Sequence, residues 1–124
     1  MPVRLITKAA LQGTSRHVVH DTYETTRFLL AEDGLGVTVT DIVLQPGVEA
    51  TYGYDEHVEI AYCLEGRAVI HEVGSGRRLD VAAGSLWVAE RGDRFTFLAS
   101  EPTRLICVFT PPFRGHETGF AGDQ

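Results

Sequence analysis

The chain has 124 residues and a formal net charge of −6, with 44% hydrophobic, 23% charged and 9% aromatic residues. That length suits one domain over residues 1–124 with a single core. The acidic balance argues against a nucleic-acid binder, no apolar run approaches the roughly 20 residues of a membrane span, and two cysteines do not make a disulfide scaffold or a zinc site.

In chain order, the first 25 residues are mixed and polar, with a short helical turn expected around Thr7 to Leu11. The start, Met1-Pro2-Val3-Arg4, lacks the basic-then-apolar layout of a signal peptide, so a cytoplasmic location is expected. An apolar stretch from Thr26 to Ala31 precedes an Asp33-Gly34 turn. Val37 to Leu44 alternates β-branched residues and predicts a strand ending at Pro46-Gly47. Further strands are predicted at Val58 to Leu64, Ala68 to Glu72, Arg78 to Val81, Ser85 to Ala89, Phe95 to Leu98 and Arg104 to Phe109, punctuated by glycine turns. Pro111-Pro112 stops the last one, because proline cannot donate to a ladder. The tail, residues 113–124, is expected to cover one end of the fold or to fray. Short strands at this spacing predict an all-β antiparallel sandwich or barrel.

Glycine and carboxylate spacing narrows the class. Glu59 sits twelve residues after Gly47, and six residues separate it from Gly66; a second segment runs from Gly76 through Gly84 to Trp87. This spacing resembles the two signature motifs of the cupin superfamily, which implies a small jelly-roll β-barrel with a short N-terminal arm and a C-terminal tail. Where metal-binding cupins carry two His, one Glu and one further His, this chain has Gly53, Asp55, Glu59 and Trp87.

Three blocks point closer. T-T-R-F-L-L-A-E-D-G at Thr25 to Gly34, H-V-E-I-A-Y-C-L-E-G at His57 to Gly66, and R-L-I-C-V-F-T-P-P-F at Arg104 to Phe113 resemble ectoine synthase. The resemblance covers nearly the whole chain. It implies a dimeric cupin that closes an N-acetylated diaminobutyrate into a cyclic amidine with loss of water, using iron. Of the family's Glu, Tyr and His iron ligands, only Glu59 matches; the other two positions are Trp87 and Phe95. An indole offers only an N–H donor and a phenyl ring offers nothing. Among positions the family uses near its substrate, Arg27, Tyr54, His57, Cys107, Phe109 and Glu117 match. A family tryptophan falls on Tyr23, a threonine on Ile42 and a tail histidine on Gly119.

The residues themselves leave paired readings open. Glu59 shares a strand face with Ala61 and Cys63, so it is either an acid/base group whose pKa is raised by an apolar lining, or a structural carboxylate paired with Arg27 or His57. Arg27 suits a bidentate grip on a substrate carboxylate, or a rim ion pair with Glu59 or Glu117. Tyr54 and His57 are candidate proton partners of Glu59, or loop packing. Trp87 and Phe95 are barrel filling, or an aromatic wall with Tyr23 and Phe109. Cys107 is a small buried hydrophobe or a ligand contact.

The expectation is therefore a lyase or cyclase of the ectoine synthase type. It acts on a small molecule other than the ectoine precursor, and without metal. Apolar replacements at Ile42, Trp87, Phe95 and Gly119 suggest a larger or greasier ligand. The alternatives are true, iron-dependent ectoine synthase, a metal held by Glu59 with Tyr54, Asp55 or His57, and a non-catalytic binding cupin. A homodimer is implied by the resemblance, with the Thr26 to Ala31 strand as a candidate pairing edge.

Overall fold

A computed structural model describes residues 3–120. A single turn of helix, α1 (Lys8–Leu11), opens the chain, with the Thr7 side chain accepting from the Ala10 N–H as its cap. Ten strands follow: β1 (His17–Val19), β2 (Tyr23–Leu29), β3 (Thr38–Leu44), β4 (Glu49–Tyr52), β5 (Val58–Glu65), β6 (Arg67–Glu72), β7 (Arg78–Ala82), β8 (Leu86–Ala89), β9 (Phe95–Ala99) and β10 (Thr103–Thr110). All pairings are antiparallel. They form a six-stranded sheet in the order β1-β2-β3-β10-β5-β8 and a four-stranded sheet in the order β4-β9-β6-β7. The cupin architecture is present, but the two sheets face each other without closing into a hydrogen-bonded barrel. No described helix is long and apolar enough to cross a membrane.

Strand faces follow the period-2 pattern. On β10, Leu105, Cys107 and Phe109 are buried and alternate with half-buried neighbours. On β5 the buried set is Glu59, Ala61 and Cys63. Opposite them, Phe95, Phe97 and Ala99 come in from β9. One acidic side chain therefore faces the core between aromatic layers. Gly66 links β5 to β6 with φ +105°, and a Cβ there would stand 2.4 Å from Thr103 Oγ1 and 2.5 Å from its Cα. Only glycine fits this link.

Two strands escaped the sequence reading. β1 lies in the polar arm, and β4 is short and half exposed, so neither carries a clear apolar alternation. β2 pairs with β3 along most of its length and with β1 over Glu24 to Thr26, where the predicted pairing segment Thr26 to Ala31 begins. The edge strands of the six-stranded sheet are β1 and β8.

The outer face of that sheet carries one buried ion cluster. Asp41 on β3 is 2% exposed; the Arg104 Nη2 donates to its Oδ2 at 2.6 Å, and Lys8 Nζ lies 3.3 Å from its Oδ1. These contacts pin α1 to the sheet through the side chain of its first residue. Arg104→Leu should leave Asp41 buried with Lys8 alone and destabilise the fold by about 2–3 kcal/mol, measured by equilibrium urea unfolding.

Candidate active site

Between the sheets lies a narrow cavity lined by Tyr23, Tyr54, Glu59, Trp87 and Phe95, with Ile42, Leu44, Phe97 and Leu105 filling in behind them. Its volume is about 40 Å³, room for one or two waters or a small group. The indole and phenyl rings of Trp87 and Phe95 form much of its wall.

Among the described residues, Glu59 is the only charged group in that lining. It is 7% exposed, and its Oε1 has no hydrogen-bond partner. Burial raises its pKa from 4.5 to about 7, and the nearby Cys107 thiol pulls the other way. No cation is among the causes, so the structural reading in which Glu59 pairs with Arg27 or His57 does not hold. Tyr54 is pushed well above the usual phenol range by burial and then by Glu59. Cys107, fully buried, is pushed well above the usual thiol range for the same two reasons in the same order. Both groups stay protonated and serve as neutral neighbours. A nucleophilic thiolate is excluded at neutral pH.

Arg27, Glu117 and His57 belong to a second structure, the tail. Arg27 is 4% exposed, and its two Nη groups donate to the carbonyl oxygens of Gly115 and Glu117. Its guanidinium is a latch for the tail, and neither expected partner carboxylate receives it. The Tyr23 hydroxyl adds a second latch, donating to the Thr118 carbonyl at 2.6 Å. Phe120 forms an isolated bridge with Tyr52 and stacks on its ring. The tail residues up to 120 thus cover the cavity's open side; residues 121–124 of the predicted tail lie outside the described residues. Glu117 is 5% exposed and accepts from the N–H groups of Arg114 and Gly115. Burial alone would raise its carboxyl, but the N–H groups of Gly115, Arg114 and Glu117 itself hold it below the usual range.

His57 does not reach the cavity. Its Nδ1 donates to the Pro111 carbonyl at 2.6 Å, and its Nε2 is 3.7 Å from Glu117 Oε2. Tyr54 stands between, edge-on to the His57 ring at 5.8 Å. His57 instead lines a polar cleft of about 490 Å³ on the far side of the tail, with Asp55, Glu56, Arg114, His116 and Glu117. Phe109 packs behind Tyr54, 5.1 Å from it centroid to centroid, and is stacked on Phe113 at 4.1 Å. The predicted residues therefore divide. Tyr23, Tyr54, Glu59, Trp87 and Phe95 meet at the cavity. Cys107 and Phe109 back it, and Arg27, His57 and Glu117 hold the tail.

Ile42, Tyr52 and Thr118 are cavity or tail contacts that the sequence left unassigned or uncertain. Gly119 has a physical reason: it lies at φ +86°, and a Cβ there would stand 2.4 Å from the Tyr54 hydroxyl oxygen. Any side chain at this position would meet the Tyr54 hydroxyl, so glycine alone fits the tail here.

The residues around Glu59 do not fit the iron ion that the resemblance implies. The two remaining ligand positions are Trp87, a donor only, and Phe95, which has no donor atom to offer a metal. Asp55 is drawn away by Arg94 at 2.6 Å, and His57 is behind Tyr54, so the alternative ligand set does not converge either. Among the described residues no three His, Cys, Asp or Glu side chains come together. One orphaned carboxylate oxygen is not a ligand set.

Glu59 binds its proton more tightly folded than unfolded, so this residue favours the fold below pH 4.5 and the advantage is lost as pH rises through about 7. Glu59→Gln stays neutral throughout. At pH 8 the variant should be more stable than the parent by about 3 kcal/mol, with the difference vanishing near pH 4, as read by denaturant unfolding across pH.

Comparisons with known proteins agree on one family. The family model described as ectoine synthase matches residues 1–121. The L-ectoine synthase of Desulfatibacillum aliphaticivorans is 36% identical over 96 residues, covering 77% of this chain and 74% of that protein. That of Oceanobacillus iheyensis is 31% identical over 108 residues, covering 87% and 84%. The crystal structure of ectoine synthase from P. lautus superposes with a TM-score of 0.86 at 27% identity, over 91% of this chain and 81% of that one.

Proposed function

Because the chain belongs to the ectoine synthase family, a family of cupin lyases, we propose that it catalyses the family's ring closure: an amine attacks an amide carbonyl within one molecule, and water leaves. The candidate substrate is N-acetylated diaminobutyrate. The observation that carries this reading is Glu59, a single carboxyl near neutrality in its pKa, enclosed in an otherwise uncharged cavity. A general acid/base works best when its pKa lies near the operating pH. In this scheme ionised Glu59 takes a proton from the substrate's ammonium, freeing the nitrogen lone pair. The nitrogen attacks the carbonyl carbon. Glu59 returns that proton to the oxygen, then takes a second proton from the same nitrogen and passes it on, so the oxygen departs as water and the ring is left as the amidinium.

The remaining residues shape the encounter. The cavity, about 40 Å³, admits the reacting acyl end of such a chain and not the whole molecule, and binding that folds the chain back on itself loses the entropy of bringing nucleophile and electrophile together before the transition state. Tyr54 presents a neutral phenol beside Glu59, and Tyr23, Trp87 and Phe95 exclude water. Arg27, Glu117 and His57 act on the tail that covers the site, and Cys107 and Phe109 support its wall.

A second reading has its own observation. No lysine or arginine lines the cavity, and Arg27 is engaged with the tail carbonyls. A carboxylate on the substrate would find no cation there. This favours the same ring closure on a smaller, uncharged amide. The non-catalytic alternative loses ground to Glu59, since a binding cupin has no need of a desolvated carboxyl titrating near pH 7.

Purified protein incubated with N-acetylated diaminobutyrate should yield the cyclic amidine, detected by proton NMR, and the yield should survive a chelator. Absence of product with and without added Fe²⁺ would move the assignment to the second reading. The kcat/KM should rise with pH through about 7, and Glu59→Gln should lower kcat at least 100-fold.

We also infer a homodimer in the cytoplasm. Tyr62 and Leu64 on β5 and Leu86 and Val88 on β8 are exposed on one face, with Tyr62 directly opposite Leu86. This apolar patch beside an open strand edge suits a second copy of the chain. Light scattering after gel filtration should give twice the 13.6 kDa chain mass, and Val88→Lys should give the monomer. Two buried free thiols, Cys63 and Cys107, suit a reducing compartment.

A further inference from the structure

Two polar atoms of the cavity residues are enclosed and have no hydrogen-bond partner: Glu59 Oε1 and Trp87 Nε1. Both residues line the same cavity. Their strands are neighbours, with Glu59 opposite Ala89 and Trp87 opposite Ala61, so the two side chains are diagonal neighbours on one inner face. The indole is wedged in place, tilted against Phe97 at 5.8 Å and edge-on to Phe95 at 6.4 Å. A buried donor without an acceptor is rare and costly in a native fold, and an indole N–H can only donate. What it lacks is an acceptor oxygen delivered by a ligand. The lining carries no cation, so that oxygen belongs to a neutral group, a carboxamide and not a carboxylate.

We propose that the Trp87 indole N–H donates a hydrogen bond to the amide carbonyl oxygen of the substrate, the oxygen that leaves as water. The inference rests on the ring-closing reading and names the group that polarises the electrophile. As the amine nitrogen bonds to the carbonyl carbon, the π pair moves onto oxygen, where the indole N–H stabilises it. Two protons, lost in turn by the nitrogen, pass through Glu59 to that oxygen, the C–O bond breaks, and one water departs; no oxidant or reductant enters. Where the family resemblance places a metal ligand, this chain has a hydrogen-bond donor. The donor is held at a fixed angle and kept dry, so it meets the developing charge without reorganising.

Trp87 is the only tryptophan in the sequence, so the nitrogen–proton NMR spectrum of the protein contains a single indole resonance. Titration with N-methylacetamide, a neutral amide, should move that resonance downfield to saturation, while acetate leaves it in place. A resonance that stays put with the amide, or that acetate moves equally, overturns the proposal. Trp87→Phe keeps the aromatic ring and removes the N–H. In the cyclisation assay it should lower kcat about 100-fold with KM changed less than about threefold, and an unchanged kcat also overturns the proposal. The two readings fail separately. Turnover of N-acetylated diaminobutyrate without an indole shift removes the donor role and leaves the ring-closing reading. An amide-induced shift without turnover of any tested acyl diamine upholds amide recognition by Trp87 and removes the ring-closing reading.

Discussion

A carboxyl group placed between two apolar sheets must be neutral, paired, or expensive. Glu59 meets that constraint by sitting near its own neutral point, and the surroundings are arranged around that solution. Its polar neighbours, Tyr54 and Cys107, are held protonated and add no second charge. Arg27, the arginine that acts on the neighbouring Tyr54, is itself occupied by the tail carbonyls of Gly115 and Glu117. A single arginine turned inward toward Glu59 would lock the carboxylate ionised and hold it as an ion pair. Keeping the cations away is what keeps the group able to exchange a proton near neutral pH.

The same constraint explains how aromatic replacements coexist with retained chemistry. Trp87 and Phe95 remove the donor atoms a metal needs, yet they also narrow and dry the space around the one carboxyl that remains. In a drier cavity each remaining dipole acts through a lower effective dielectric, so a lone N–H and a lone carboxyl carry more weight than they would in water. Loss of ligands and gain of apolar lining are thus one change seen from two sides.

Most of the framework was legible in the chain because β-branched alternation and glycine punctuation are local signals. The strands β3, β5 and β10 were found within a residue or so of their ends, and the inward direction of Glu59 follows from its spacing to Ala61 and Cys63 alone. The grouping of the site was legible only where residues share a face. Tyr54, Glu59, Trp87 and Phe95 were expected together and are together. Arg27, His57 and Glu117 were expected to face the ligand, but Arg27 and His57 donate to carbonyl oxygens of a proline-bounded tail and Glu117 accepts from its N–H groups, and a sequence does not show where a backbone group will fall. The close approach of the tail to the Tyr54 hydroxyl at Gly119 is encoded by no local pattern. Apolar side chains suggest a greasy pocket in a sequence, but in three dimensions they are also what fills it.

The Arg27 and Tyr23 latches join residues 88 to 95 positions apart in the chain. During synthesis at roughly 5–20 residues per second, strand β2 therefore waits on the order of 5–20 seconds for the carbonyls that will satisfy it. Until residues 115–118 have been added, burying the Arg27 guanidinium would strand a charge in the core. The cover of the cavity is thus made of chain that follows every strand, and the charge buried at Arg27 in the second strand depends on the last part of the fold to be synthesised.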